Sequence, residues 1–156
     1  MRWCEMNAFS PVLRGHEGLN PDLNAQFDSS EEVLSHGRKF SNIYKSLKPY
    51  LKEAVRYTFE KGVGVVRPLF FYYDEEKAYT QCYEYLLGRD ILVSPVIRPK
   101  ASSKKVYLPD DTWIHLWSSK EYTSGEYEIP APIGEIPVFI RKDSTFKNEF
   151  IKLKNI

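Results

Sequence analysis

At 156 residues, 42% apolar and 15% aromatic, the chain has the material for a packed core, which excludes intrinsic disorder. A formal net charge of +1 leaves no electrostatic footprint for nucleic acid or an anionic membrane surface. The longest apolar run, VGVVRPLFFYY, is broken by Arg67 and Pro68 and is too short to span a bilayer, and MRWCEMNAFSP lacks the basic-then-apolar order of a signal peptide.

The chain opens with RWCEMNAF, which reads as the end of a helix. It runs into a short extended segment, SPVL, where Pro11 cannot donate a ladder bond, so this strand must be short or bulged. Arg14 to Phe27 is rich in Gly, Asn, Pro and Asp, which is loop chemistry. Ser29 with Glu32 fits a capping box. Apolar residues then recur at Phe40, Ile43, Tyr44, Leu47, Leu51, Ala54, Val55 and Phe59, the spacing of a helix with one buried face. Pro49 falls inside this pattern and predicts a kink or a split, and Gly62 and Gly64 end it.

The texture changes at Val65. The runs VVRPLFFYY, DILVSPVI, KKVYLP, TWIHLW, GEYEIPAP and PVFIRK are short, rich in β-branched and aromatic residues, and separated by Pro, Gly, Asp and Ser. They predict an antiparallel β-sandwich or barrel. Tyr79 to Leu87 admits one helical turn, and the tail FKNEFIKLKNI reads as a last strand or a frayed end. The fold class expected is therefore α+β, with a division near residue 66. One short strand and one long helix make no core by themselves; a βα pair is one unit of a larger layered architecture, so residues 1–65 read as the end of something larger.

Single residues carry further expectations. Cys4 and Cys82 stand outside any CxxC or Cys/His spacing, so they read as free buried thiols in a reducing, cytoplasmic compartment, with no zinc site. No metal constellation and no phosphate-cradling glycine loop is present, so no cofactor is expected. Trp3 and Phe9 read as core. Tyr72, Tyr73, Tyr79, Tyr83 and Tyr85 form a dense set that reads as a domain interface, with a carbohydrate platform as the alternative. The acidic groups Asp74-Glu75-Glu76 and Asp110-Asp111 read as solvated turns, and His36 and His115 carry no signal.

Several motifs in order resemble glycoside hydrolase family 31, the α-glucosidase family. RWCEMNAFSPVLRGHEG is similar to the end of that family's catalytic barrel: an Arg-Trp helix, an Ala-Phe-x-Pro strand, then an Arg-x-His turn. YKSLKPYLKEAV resembles its last barrel helix. VVRPLFFYYDEEKAYTQCYEYLLGRDILVSPVI, KKVYLPDDTW and APIGEIPVFIRKDS resemble its proximal C-terminal β-domain. The spelling Arg-Gly-His-Glu-Gly departs from the more typical Arg-Asn-His-Asn and is similar to the sulfoquinovosidase-like branch. The resemblance implies that residues 1–65 are the last βα unit of a truncated (β/α)8 barrel and residues 66–156 a β-sandwich domain.

It also implies a chemistry and its limits. Retaining glycosidases use two carboxyl groups, one as nucleophile and one as acid/base. In family 31 both are aspartates on barrel strands before the region matched here, so the chain would lack both and be inactive alone. Of the local carboxylates, Glu5, Glu17 and Asp22, none is expected to replace them; Glu17 adjoins His16, and in an extended segment the two point to opposite sides. The residues implied for substrate binding are His16, donating to sugar hydroxyls, and Arg14, with Glu17 as a partner for either. The partner implied is an α-linked sugar, an α-glucoside or α-sulfoquinovoside, once the barrel is completed by another chain. A non-catalytic β-sandwich scaffold, or a carbohydrate-binding or self-associating module, is the alternative.

Overall fold

The computed structural model describes residues 1–15, 18–20 and 23–156. Its helices are α1 (Arg2–Ala8), α2 (Glu31–Ser46), α3 (Lys48–Lys61), α4 (Glu76–Thr80) and α5 (Lys147–Ile151). Its strands are β1 (Val66–Arg67), β2 (Tyr85–Leu87), β3 (Ile91–Val93), β4 (Ser103–Leu108), β5 (Trp113–His115), β6 (Glu121–Tyr122), β7 (Gly125–Pro130) and β8 (Val138–Arg141). Short 3-10 turns occur at Leu69–Phe71 and Lys152–Asn155.

The long helical pattern divides where Pro49 predicts. α2 ends at Ser46, α3 begins at Lys48, and Leu47 caps both. Pro49 lies in the first turn of α3, where its missing N–H would have had no helical acceptor. Gly62 closes α3 in the left-handed region at φ +69. The N-cap of α2 is Ser30, one residue later than the capping-box reading: its side chain accepts from Val33 N–H at 3.2 Å. Ser29 is engaged one turn earlier, accepting from Gln26 N–H at 2.6 Å and donating to Gln26 C=O at 2.8 Å.

Two expected strands and the tail need correction. Residues 10–13 form no strand. A strand needs a ladder, and no described segment pairs with this one; Pro11 has no donor, and its carbonyl is taken by Tyr44 Oη–H at 2.8 Å. VVRPLFFYY is not one strand either. Only Val66 and Arg67 pair, with Leu87 and Leu86, before Pro68 interrupts and Leu69–Phe71 coil into a 3-10 turn. The tail is helical, with α5 running into a 3-10 turn. Phe146, Phe150 and Leu153, spaced at a helical period, pack into the core.

All strand pairs are antiparallel. Six strands form one sheet in the order β1-β2-β3-β8-β5-β6, and β4 and β7 form a two-stranded ribbon. Opposed residues in such a ladder share a face. Leu87, Ile91, Ile140 and Ile114 form one cross-strand row, in one core with Phe40 and Ile43 of α2, Tyr50 and Leu51 of α3, and Leu47 between the two helices. Leu86, Leu92 and Phe139 form a row on the opposite face, packed against Val106 and Leu108 of β4 and Ile129 of β7. The layers are thus helices, sheet and ribbon. The sheet that covers the apolar face of α2–α3 comes from residues 85–140, so one core crosses the division expected near residue 66.

Candidate functional site

Residues 12–15, the start of VLRGHEG, are positioned by what precedes them. α1 is seven residues long, and its inward face presents Glu5 and Ala8. Arg2 and Glu5, three apart on the helix, form a 3.0 Å ion pair between Arg2 Nη1 and Glu5 Oε2. Glu5 is fully buried, and its Oε1 accepts from Gly134 N–H at 2.7 Å. Arg2 also donates to three carbonyls, of Ala101 at 3.0 Å, of Pro132 at 3.1 Å and of Ala131. His36 Nε2 lies 3.6 Å from the same Glu5 Oε1, and burial pulls its pKa below the ordinary value against the attraction of that carboxylate. The pair Arg2–Glu5 therefore fastens α1 to loops 101 and 131–134 of the β-region. Glu5 is a structural residue, fully buried among these partners.

Past α1, two tyrosine hydroxyls take the backbone. Phe9 is fully buried, and Tyr85 Oη donates to its carbonyl at 3.0 Å; Tyr44 Oη holds Pro11 as described. Ser10 Oγ lies 2.8 Å from Asn7 C=O and 2.9 Å from Val12 C=O. Val12, Arg14 and Gly15 are then exposed, so the chain emerges at the surface directly after this anchored turn. Arg14 has no carboxylate partner among the described residues. His16 and Glu17, the other residues implied for substrate binding, lie outside the described residues, as does Asp22. At Gly18 an added Cβ would meet Asn24 Nδ2 at 2.3 Å, so the second glycine of the motif makes room for that side chain.

Other expectations divide. Phe9 is core, but Trp3 is 72% exposed, because it lies on the face of α1 away from Glu5 and Ala8. Both thiols are free; Cys4 is half-buried and Cys82 exposed, in the irregular segment between α4 and β2. Among the tyrosines, Tyr73 and Tyr85 are anchored inside, while Tyr79 and Tyr83 stand in solvent, so the five do not form one surface. The acidic turns are not simply solvated. Glu75 accepts from Asp110 N–H at 2.9 Å and from Tyr107 Oη–H, and Asp111 accepts from Tyr73 Oη–H at 3.1 Å. Tyrosine donors from the core draw these carboxylates into joints between loops.

Two buried titratable groups, Glu84 and His115, carry no signal in the sequence. Glu84 accepts through Oε1 from Ser94 Oγ–H and Tyr107 N–H, both at 3.2 Å, while its Oε2 has no partner among the described residues. Burial pushes its pKa up to about 7, against the opposing pull of the Tyr107 N–H and nearby Lys104. His115 packs 5.1 Å from the Phe139 ring with its Nε2 unpartnered, and burial pushes it down to about 4. Among the described residues no three His, Cys, Asp or Glu side chains converge as metal ligands. No described helix is long and apolar enough to cross a membrane.

The fold and the anchored loop define a class. Residues 62–146 match the glycosyl hydrolase family 31 C-terminal domain, and the chain belongs to glycoside hydrolase family 31. Within the family it is similar to the sulfoquinovosidase of Escherichia coli, at 46% identity over all of this chain and 23% of that protein. It is also similar to the sulfoquinovosidase of Agrobacterium fabrum, at 42% over all of this chain and 24% of that protein. Alpha-glucosidase 2 of Bacillus thermoamyloliquefaciens matches at 28% over 92% of this chain and 18% of that protein. Among solved structures, a family 31 sulfoquinovosidase from E. rectale, in complex with an aza-sugar inhibitor, superposes with a TM-score of 0.96 at 41% identity, covering 99% of this chain and 23% of that one. The chain thus spans about a quarter of the length of these sulfoquinovosidases.

Proposed function

We propose that the chain is the C-terminal part of a retaining α-glycosidase acting on α-glucosides or α-sulfoquinovosides. The observation that carries this reading is similarity to two sulfoquinovosidases across the whole chain, loop 12–18 included. On this reading residues 1–65 end a (β/α)8 barrel, and residues 66–156 are the β-domain behind it. Barrel active sites lie at the C-terminal ends of the strands, which is where residues 14–18 would stand. His16 donates hydrogen bonds to sugar hydroxyls, Arg14 orients the loop acids beside the sugar, and Glu17 supports one or the other. The nucleophile and the acid/base, two aspartates in the family pattern, belong to barrel strands outside this chain, so the chain needs that remainder as its partner and is inactive without it.

The exposed apolar surface favours such a partner. Val55 and Phe59, four apart on α3, are 53% and 92% exposed, and Val12 and Leu19 stand in solvent beside the loop. The remaining barrel, or a second copy of the chain, would cover them.

Kinetics on aryl α-sulfoquinovosides and aryl α-glucosides test the proposal. The 156-residue chain alone should show no turnover. In the complete enzyme, His16→Ala should lower kcat/KM by at least about tenfold, the effect of losing one hydrogen bond to the sugar. Turnover by the chain alone would refute the assignment of both carboxylates to other strands. An unchanged kcat/KM would remove His16 from the subsite.

A further inference from the structure

A groove of about 450 Å³ opens on the side of the molecule where α3 meets the β2–β3 turn, lined among others by Tyr57, Arg67, Tyr72, Arg89, Asp90 and Arg141. Its floor is rigid. Gly88 turns the chain at φ +61, where an added Cβ would lie 2.2 Å from Tyr50 Oη. That hydroxyl donates to Leu87 C=O at 2.8 Å and accepts from Asp90 N–H at 2.9 Å. The hairpin tip is therefore pinned to α3.

The charge lining the groove is unbalanced. Asp90 is fully engaged: Oδ1 accepts from Arg141 Nε at 2.9 Å and Nη2 at 2.8 Å, and Oδ2 from Ser144 Oγ–H at 2.9 Å. Glu53, the other acid on the lining, is held from outside by Arg56, with Nε at 3.1 Å and Nη2 at 2.5 Å. Arg67 and Arg89 have no carboxylate partner among the described residues. Arg67 is only 4% exposed; it donates Nε to Gly64 C=O at 2.7 Å and Nη1 to Tyr72 Oη, which leaves Nη2 without a protein acceptor among the described residues. The two guanidinium carbons lie 5.5 and 4.4 Å from the centre of the same Tyr72 ring, and Tyr57 stands 5.0 Å from Arg67. Burying a guanidinium is costly unless an anion or full hydrogen bonding compensates it. The ring faces compensate only in part.

We propose that this groove binds a phosphate-bearing ligand, with the dianion held by Arg67 and Arg89 and the attached organic group lying against Tyr57 and Tyr72. A planar guanidinium fork matches phosphate oxygens, and two forks without counter-ions match two negative charges, where a carboxylate would neutralise one. The site is separate from the loop at residues 14–18 and does not depend on the reading of that loop.

The test is titration of the isotope-labelled protein with inorganic phosphate, phenyl phosphate and acetate, followed through the backbone amides of Gly88, Arg89 and Asp90. Saturable shifts at these amides are expected with both phosphates, tighter for phenyl phosphate. Arg89→Gln changes an exposed side chain and keeps the fold; it should weaken phosphate binding by about tenfold or more. Arg67→Lys should weaken it in the same direction, and Lys105→Gln, on β4, should leave it unchanged. Phosphate shifts that are equal in Arg89→Gln and the parent protein, or absent from these amides, would overturn the proposal. So would acetate binding as tightly as phosphate, which would make the site one for a single negative charge.

Discussion

Glu84 shows how a single side chain sets a dependence on pH. Its carboxyl is enclosed by β4 and the segment after β3, and burial raises its folded pKa from the ordinary 4.5 to about 7. A raised carboxyl pKa means that the folded state binds the proton more tightly than the unfolded one. Folding carries no penalty from Glu84 below about pH 4.5, gains one progressively between pH 4.5 and 7, and carries it in full above that window. Glu84→Gln mimics the protonated form and keeps the acceptor for Ser94 and Tyr107. In urea melts it should be more stable than the parent at pH 8, by up to about 3 kcal/mol, with the gap closing towards pH 4. Parallel loss of stability in both proteins would refute this. Nothing in CYEYLLG marks Glu84 as buried, because its burial comes from Tyr107 and Ser94, partners distant in sequence. His115 was equally invisible: a histidine in a short strand takes its environment from the strand beside it, here Phe139 of β8.

Elements were legible where their signal is local and obscure where it is not. The split at Pro49 and the stop at Gly62 follow from backbone chemistry within a few residues, and both appear as expected. The helix start was displaced by one residue because two adjacent serines can each serve as a cap, and only the turn at Gln26 decides between them. Ser30→Ala should therefore cost about 1 kcal/mol through loss of the cap on α2, measurable as a shift of the denaturation midpoint without a change in slope. An unchanged midpoint would mean that the cap contributes nothing. Residues 10–13 have an extended composition, but an extended segment becomes a strand only with a neighbour. The loop that follows was recognisable from its motif, but its anchors, Tyr44 and Tyr85, come from α2 and β2 and carry no mark in the sequence.

At the scale of the molecule, α1 and the β-region behave as one body because of a clamp spanning most of the chain. Glu5 and Gly134 are brought to hydrogen-bond distance, and Arg2 adds two carbonyls from the same loop as Gly134 and that of Ala101 from a further one. Glu5→Ala would leave the buried Gly134 N–H without its acceptor and take from the half-buried Arg2 its carboxylate partner. Its expected cost is about 3 kcal/mol, read from chemical denaturation. A loss below about 1 kcal/mol would show that the pair only decorates a contact already made by packing.

The sheet order has a consequence for how the chain is made. β8, near the end of the sequence, lies between β3 and β5 in the middle of the six-stranded sheet. As the polypeptide leaves the ribosome, β1-β2-β3 and β5-β6 can each pair early, but nothing joins them until residues 138–141 emerge. Until then two edges, Ile91–Val93 and Trp113–His115, stand open to foreign strands. The sheet is completed by the closure of a gap at its centre, and β8 is the piece that closes it.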